Sequence, residues 1–170
     1  YGDCVAMDSM RDMILINQPS TGKEESEAVV EVLKSGILSE KSGRGPRVLQ
    51  FEKEFAKFVG ARHAIAVSSG TAALHSALLA AGIQPGDEVV VPSFTFSATA
   101  GAIVLAGGKP SFADIDADTY CITAESIEAA LTRGTKAIMP FHMYGLCADM
   151  DSITELARNR GIVVIEDAAQ

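Results

Sequence analysis

Apolar positions along this 170-residue chain follow two rhythms, one after the other. Up to about residue 60 they recur every three to four positions, the period of a helix with one buried face. Thr21-Gly22-Lys23-Glu24 reads as a capping box; Val29, Val32 and Leu33 then share one side, and Gly36 supplies the stop. After the glycine-rich Ser42-Gly43-Arg44-Gly45, Pro46 takes the first position of a second helix, with Phe51, Phe55 and Phe58 on its apolar face and Gly60 at its end. From residue 61 the rhythm changes to short apolar runs at Ala64–Val67, Val89–Val91, Pro110–Phe112, Ala137–Met139 and Ile162–Ile165. Helical stretches separate most of them: Thr71–Ala81, a second from Thr123 through Ile127, Ala130 and Leu131 to Gly134, and a third from Ser152, boxed by Glu155, to Gly161. Strands and helices alternating at this spacing predict an α/β domain, a mostly parallel sheet with helices on both faces.

The boundaries implied are a leader or cloning remnant at 1–12, a helical segment at 13–60 beginning Met13-Ile14-Leu15-Ile16, and the α/β domain at 61–170. In such sheets ligands gather beyond the carboxyl ends of the strands. Those positions hold Ser68-Ser69-Gly70-Thr71, Ser93-Phe94-Thr95-Phe96, Asp114 with Asp116, His142, and Glu166-Asp167, so polar and aromatic groups collect along one edge.

Charge narrows the partners. Twenty-two acidic against 14 basic residues give a formal charge of -8, which argues against nucleic acid or an anionic membrane surface. Ser97–Gly108 is too short to span a bilayer, and Tyr1–Asp12 lacks the basic start and apolar run of a signal peptide. Cys4, Cys121 and Cys147 form no C-x-x-C pair and read as free thiols of a reducing compartment, the cytoplasm.

Several candidates carry chemistry. Ser69-Gly70-Thr71-Ala72 joins a strand to a helix, where free N–H groups and the helix dipole can hold a phosphate; the same residues can also serve as a plain cap. Glu166-Asp167 can be a metal pair, a base, a counter-charge to a cationic ring, or the cap of a following helix. Phe94 and Phe96 alternate, so one can face a site or fill the core. Asp114-x-Asp116-x-Asp118 with Glu125 imitates a calcium loop but has Thr119 where the turn needs glycine. Gly43-x-Gly45-x-x-Val48 lacks the strand of a dinucleotide fingerprint, and His63, His75 and His142 show no metal spacing, so no metal site is expected.

In order, Gly45–Glu52, Ala66–Leu74, Pro85–Val89, Pro92–Thr99, Pro140–Gly145 and Ile165–Gln170 resemble blocks of the DegT/StrS-type sugar aminotransferases, which are fold-type I pyridoxal phosphate enzymes. The resemblance implies that 61–170 is the truncated pyridoxal 5'-phosphate-binding large domain. Gly70, Thr71 and Ala72 would hold the cofactor phosphate, and Phe96 would stack on its ring. Asp167 would pair with the ring nitrogen, and Gln170 would lie near the ring hydroxyl. The family's Schiff-base lysine lies downstream of the Glu-Asp-Ala-Ala block and Lys23, Lys34, Lys41, Lys53, Lys57, Lys109 and Lys136 all fall outside that motif, so no catalytic residue is assigned and the 170 residues alone are expected to be inactive. The implied activity is amino transfer from glutamate or glutamine to a nucleotide-linked keto-sugar by a cytoplasmic homodimer. A dehydratase of the same family, or a non-catalytic binding or assembly module, are the other readings. Family strands from further along would lie between Ala64–Val67 and the rest of the sheet, leaving an open edge here.

Overall fold

The computed structural model describes residues 19–39 and 45–170. They divide into two compact units, one ending at Ala64 and one running from Ile65 to Gln170. The leader at 1–12, Cys4, Lys41 and the Gly43 of the dinucleotide-like stretch lie outside the described residues.

The first unit holds α1 (Lys23–Ser35) and α2 (Pro46–Val59). The expected box at Thr21 is corrected by one residue: Gly22 is the cap, and its N–H donates to the Glu25 carboxylate at 2.7 Å. Glu25, not Glu24, stands three positions beyond the cap, where a side chain reaches back. Gly36 and Gly60 close the two helices at φ 67° and 71°, the left-handed backbone for which glycine is selected. Arg47 pairs with Glu31 across the helices, and Phe51 stacks on Phe55 with centroids 5.5 Å apart.

The second unit is built on β1 (Glu88–Pro92), β2 (Lys109–Ala113), β3 (Thr135–Ile138) and β4 (Val163–Val164), all parallel, in the order β2-β1-β3-β4. Strand parity distributes the core. Val89, Val91, Ala137 and Met139 pack on α3 (Gly70–Ala80) and α4 (Ser97–Leu105) through Leu78, Ala102 and Ile103. Val90 and Ile138 face the other way, onto α5 (Ala124–Ala130) and α6 (Met150–Arg160) through Ile127, Ile153 and Ala157. Successive strand side chains point to opposite faces, so one apolar run serves two layers.

Three expectations need correcting. Ala64–Val67 enters no ladder among the described residues, because a strand exists only where a neighbour lies within about 4.8 Å to share its hydrogen bonds. The helix expected from Ser152 starts earlier: Asp149 caps it, accepting from the Ser152 N–H at 3.2 Å and the Ser152 hydroxyl at 2.6 Å. Finally, α4 was not expected. Its sequence, SATAGAIVL, is small and apolar nearly throughout, so it shows no polar stripe.

The hydroxyl and N–H of Ser152 hold the Asp149 carboxyl below the usual carboxylate range. A carboxyl with a depressed folded-state value stabilises the fold above its unfolded value, and that contribution disappears as the pH falls through the folded one. The chain should therefore lose part of its stability on acidification through this cap, and Asp149→Asn should flatten that part. Melting followed by circular dichroism across acid pH checks it; an unchanged pH profile would count against the cap.

Candidate functional site

The chain steps from β1 to β2 on one side, then returns to place β3 on the other side of β1. The helices that follow β1 and β3, α4 and α6, cover opposite faces. Loops leaving the carboxyl ends of these neighbouring strands therefore diverge, and a crevice opens between them. A cavity of about 250 Å³ lies there, lined by Gly70, Thr71, Phe96, Phe141, Asp167 and Gln170 among others.

One wall is the start of α3. Ser69 caps it through its hydroxyl, which accepts from the Ala72 N–H at 3.1 Å. Of the first three helical N–H groups, Ala72 is thus engaged, while those of Gly70 and Thr71 have no acceptor among the described residues. Both residues line the cavity. A Cβ built on Gly70 meets nothing within 4 Å, so the space over this turn is open. Two free donors at the positive end of a helix form a site for an anion. Ala72 does not line the cavity, and its N–H is engaged by the Ser69 cap.

Asp167 also lines the cavity; it is 5% exposed and joined to Phe141 as a parallel bridge beyond β3 and β4. Its N–H donates to the Pro140 carbonyl at 2.9 Å, and its own carbonyl accepts from the His142 N–H at 3.2 Å. The carboxylate accepts the Thr99 hydroxyl on Oδ2 at 2.8 Å and the Ala169 N–H on Oδ1 at 3.2 Å. No ion pair among the described residues includes Asp167. A buried charge lacking a counter-charge is costly, so this carboxylate suits a cationic ligand group brought into the cavity.

Phe96, 70% exposed and immediately before α4, lines the same cavity and offers an aromatic face for a flat ring. The Gln170 side-chain oxygen accepts from the Tyr144 N–H at 2.5 Å. His142 is buried: its Nδ1 accepts from the Ala148 N–H at 3.3 Å, so in the neutral ring Nε2 carries the proton and donates to Glu166 at 2.9 Å. That pair ties the Met143–Gly145 turn to the strand end bearing Asp167. Glu166 and Asp167 thus divide their work, one engaged by His142 and the other turned to the cavity.

Asp116 is occupied by its own loop. It accepts the N–H groups of Asp118 and Thr119 and the Thr119 hydroxyl, bonds led by the Thr119 amide that hold it below the usual carboxylate range. Cys121 and Cys147 are free thiols, and no described helix is long and apolar enough to cross a membrane.

Five of the six residues expected at a cofactor site, Gly70, Thr71, Phe96, Asp167 and Gln170, therefore surround one cavity. Thr99 was missed. It sits inside the unexpected α4, and its only sequence signal was a hydroxyl within a small, apolar run.

A parallel, doubly covered sheet with this crevice defines the large-domain architecture of the fold-type I aminotransferases. The resemblance in sequence and the arrangement in space agree. The chain belongs to the DegT/DnrJ/EryC1/StrS aminotransferase family, which matches residues 19–170. It is 54% identical over 151 residues to the spore coat polysaccharide biosynthesis protein SpsC of Bacillus subtilis (strain 168), covering 89% of this chain and 38% of SpsC. An aminotransferase from Psychrobacter cryohalolentis superposes with a TM-score of 0.83 at 42% identity, over 87% of this chain and 37% of that one. NtdA from Bacillus subtilis, solved with bound cofactor PMP, gives 0.80 at 43% identity, over 85% of this chain and 32% of that one. The chain thus spans well under half the length of these relatives.

Proposed function

We propose that this chain is the cofactor-cradling portion of a pyridoxal 5'-phosphate-dependent aminotransferase that moves an amino group from glutamate or glutamine to a nucleotide-linked keto-sugar. The observation that carries the reading is that the buried Asp167, in no ion pair among the described residues, lines one cavity with Gly70 and Thr71, whose N–H groups meet no acceptor among those residues. An anionic tail and a cationic ring nitrogen on one small molecule match those two features, and Phe96 offers its face to the ring. The relative solved with bound PMP supports the cofactor.

Pyridoxal phosphate, when bound, supplies an electron-withdrawing ring that stabilises negative charge at the carbon exchanging its amino group. The residues here do the holding. Gly70 and Thr71 donate to the phosphate, with the α3 dipole behind them. Asp167 keeps a proton on the ring nitrogen, because a nearby anion favours the protonated form. Phe96 would hold the ring, and Gln170 would contribute to the same cavity. No lysine lines the cavity among the described residues, and the reacting amine would come from elsewhere in the protein. The free thiols Cys121 and Cys147 suit a reducing, cytoplasmic compartment, and the homodimer is proposed from the family resemblance alone.

Titrating pyridoxamine phosphate into the chain, followed by amide NMR, tests this. Weak but saturable binding should move the amides of Gly70 and Thr71 most. Gly70→Ala should leave the fold intact or stabilise it by up to about 1 kcal/mol, since the backbone there needs no glycine. Its methyl would occupy the space above the turn and weaken binding about tenfold or more, the loss of one charge-assisted bond. Shifts that ignore Gly70 and Asp167 would refute the reading.

A further inference from the structure

The Asp167 carboxylate is the near end of a chain of hydroxyls that runs from the half-buried Thr95 to the buried Thr99. Thr99, fully buried on the first turn of α4, reaches Asp167 Oδ2 at 2.8 Å. The Thr95 hydroxyl lies 2.8 Å behind it, oxygen to oxygen. An ionised carboxylate can only accept, so the single hydroxyl proton of Thr99 must point at Oδ2. The Thr99 oxygen is then free to accept, and Thr95 is the donor. The direction of the whole chain, Thr95 to Thr99 to Asp167, is therefore set by the negative charge at its end. Bonds so aligned polarise one another and strengthen with the charge.

The surroundings favour the same state. The first turn of α4 presents the positive end of its dipole. Oδ1 is engaged by the Ala169 N–H, so both oxygens are held and the carboxylate cannot swing away from the cavity it lines. A second, cation-facing lone pair remains on each oxygen.

We propose that Thr99, backed by Thr95, is a positioning residue that holds the Asp167 carboxylate aimed into the cavity, so that the cavity selects rings bearing an N–H⁺ over neutral aromatic rings of the same shape. This rests on the reading of Asp167 as the partner of a ring nitrogen.

The test compares two ligands on the intact 170-residue chain by NMR titration: pyridoxamine phosphate, and its analogue with carbon in place of the ring nitrogen. The unaltered chain should prefer the nitrogen ring. Thr99→Val, which keeps the shape and removes the hydroxyl, should shrink that preference about tenfold or more, the loss of one hydrogen bond to a charged group. Thr99→Ser should restore it, and Thr95→Val should shrink it less. A purely structural role would weaken both ligands alike and leave the ratio where it was, and that result would overturn the proposal. Should Thr99→Val not fold, Thr95→Val decides: an unmoved ratio rejects the chain of hydroxyls. If the unaltered chain shows no preference at all, the reading of Asp167 itself fails and this inference with it. A preference that survives Thr99→Val removes only the role given to Thr99.

Discussion

Asp167→Asn should cost the chain about a hundredfold or more of its affinity for pyridoxamine phosphate, while leaving its affinity for inorganic phosphate unchanged. The substitution keeps the size of the side chain and one oxygen to accept from Thr99, and gives up the 3.2 Å bond from the Ala169 N–H, a local loss that leaves the packed core untouched. What disappears is the charge. Removing one member of a desolvated ion pair typically costs about 3–5 kcal/mol, because the other member is left buried without a partner. Each 1.4 kcal/mol is a factor of ten, which sets the size of the loss. Inorganic phosphate reports only on the Gly70–Thr71 turn and serves as the internal control. A variant that binds pyridoxamine phosphate as well as the parent would show that the carboxylate does not face the ring; one that also loses inorganic phosphate would show a general collapse of the site.

Leu78→Ala carries the other large effect, this time on folding. Leu78 is fully buried, one residue of the layer that α3, α4 and one face of the sheet share. Truncating a buried leucine removes its transfer free energy and leaves a void that rigid neighbours fill incompletely, about 2–5 kcal/mol in all. Against a total of roughly 5–15 kcal/mol, that is a large share. Its neighbour Leu79 is 53% exposed, and Leu79→Ala should stay within about 0.5 kcal/mol. Urea denaturation of the two variants decides between a packed layer and a loose one. Equal midpoints would mean that the layer is not closed at α3.

The contrast between these neighbours shows what a linear pattern conveys. Val89-Val90-Val91 signalled a strand buried on both faces, and the structure divides it between two helical layers. Strand ends and helix starts announce themselves through glycine, acids and breaks in hydrophobicity, which placed Gly70, Asp167 and Phe96 along one edge, but only the family resemblance gave them roles, since each also read as a cap or as core. α4 was illegible for the opposite reason. A helix made of alanine, glycine and aliphatic residues has no polar face to mark its period, and its place became clear only from its packing on α3 and the sheet. Thr99 vanished with it, since the bond to Asp167 spans 68 positions and no local spacing hints at it. Ala64–Val67 shows the converse: its composition is right for a strand, yet strand identity is a property of pairs and depends on a neighbour. The Asp149 cap was missed by three residues because Ser152 and Glu155 also fit a box, and only the carboxylate geometry distinguishes them.

The single bridge between Phe141 and Asp167 makes the site a matter of odd and even. Side chains on an extended segment alternate sides, so a slip of one residue there would withdraw the short acid and bring Glu166 or Ala168 round in its stead. The first would push a longer arm into the crevice and release His142; the second would leave no charge at all. Insertions at the exposed residues 145–147 can be absorbed at the surface, but one residue added between β4 and Asp167, or between β3 and Phe141, would erase the electrostatic character of the crevice at a stroke.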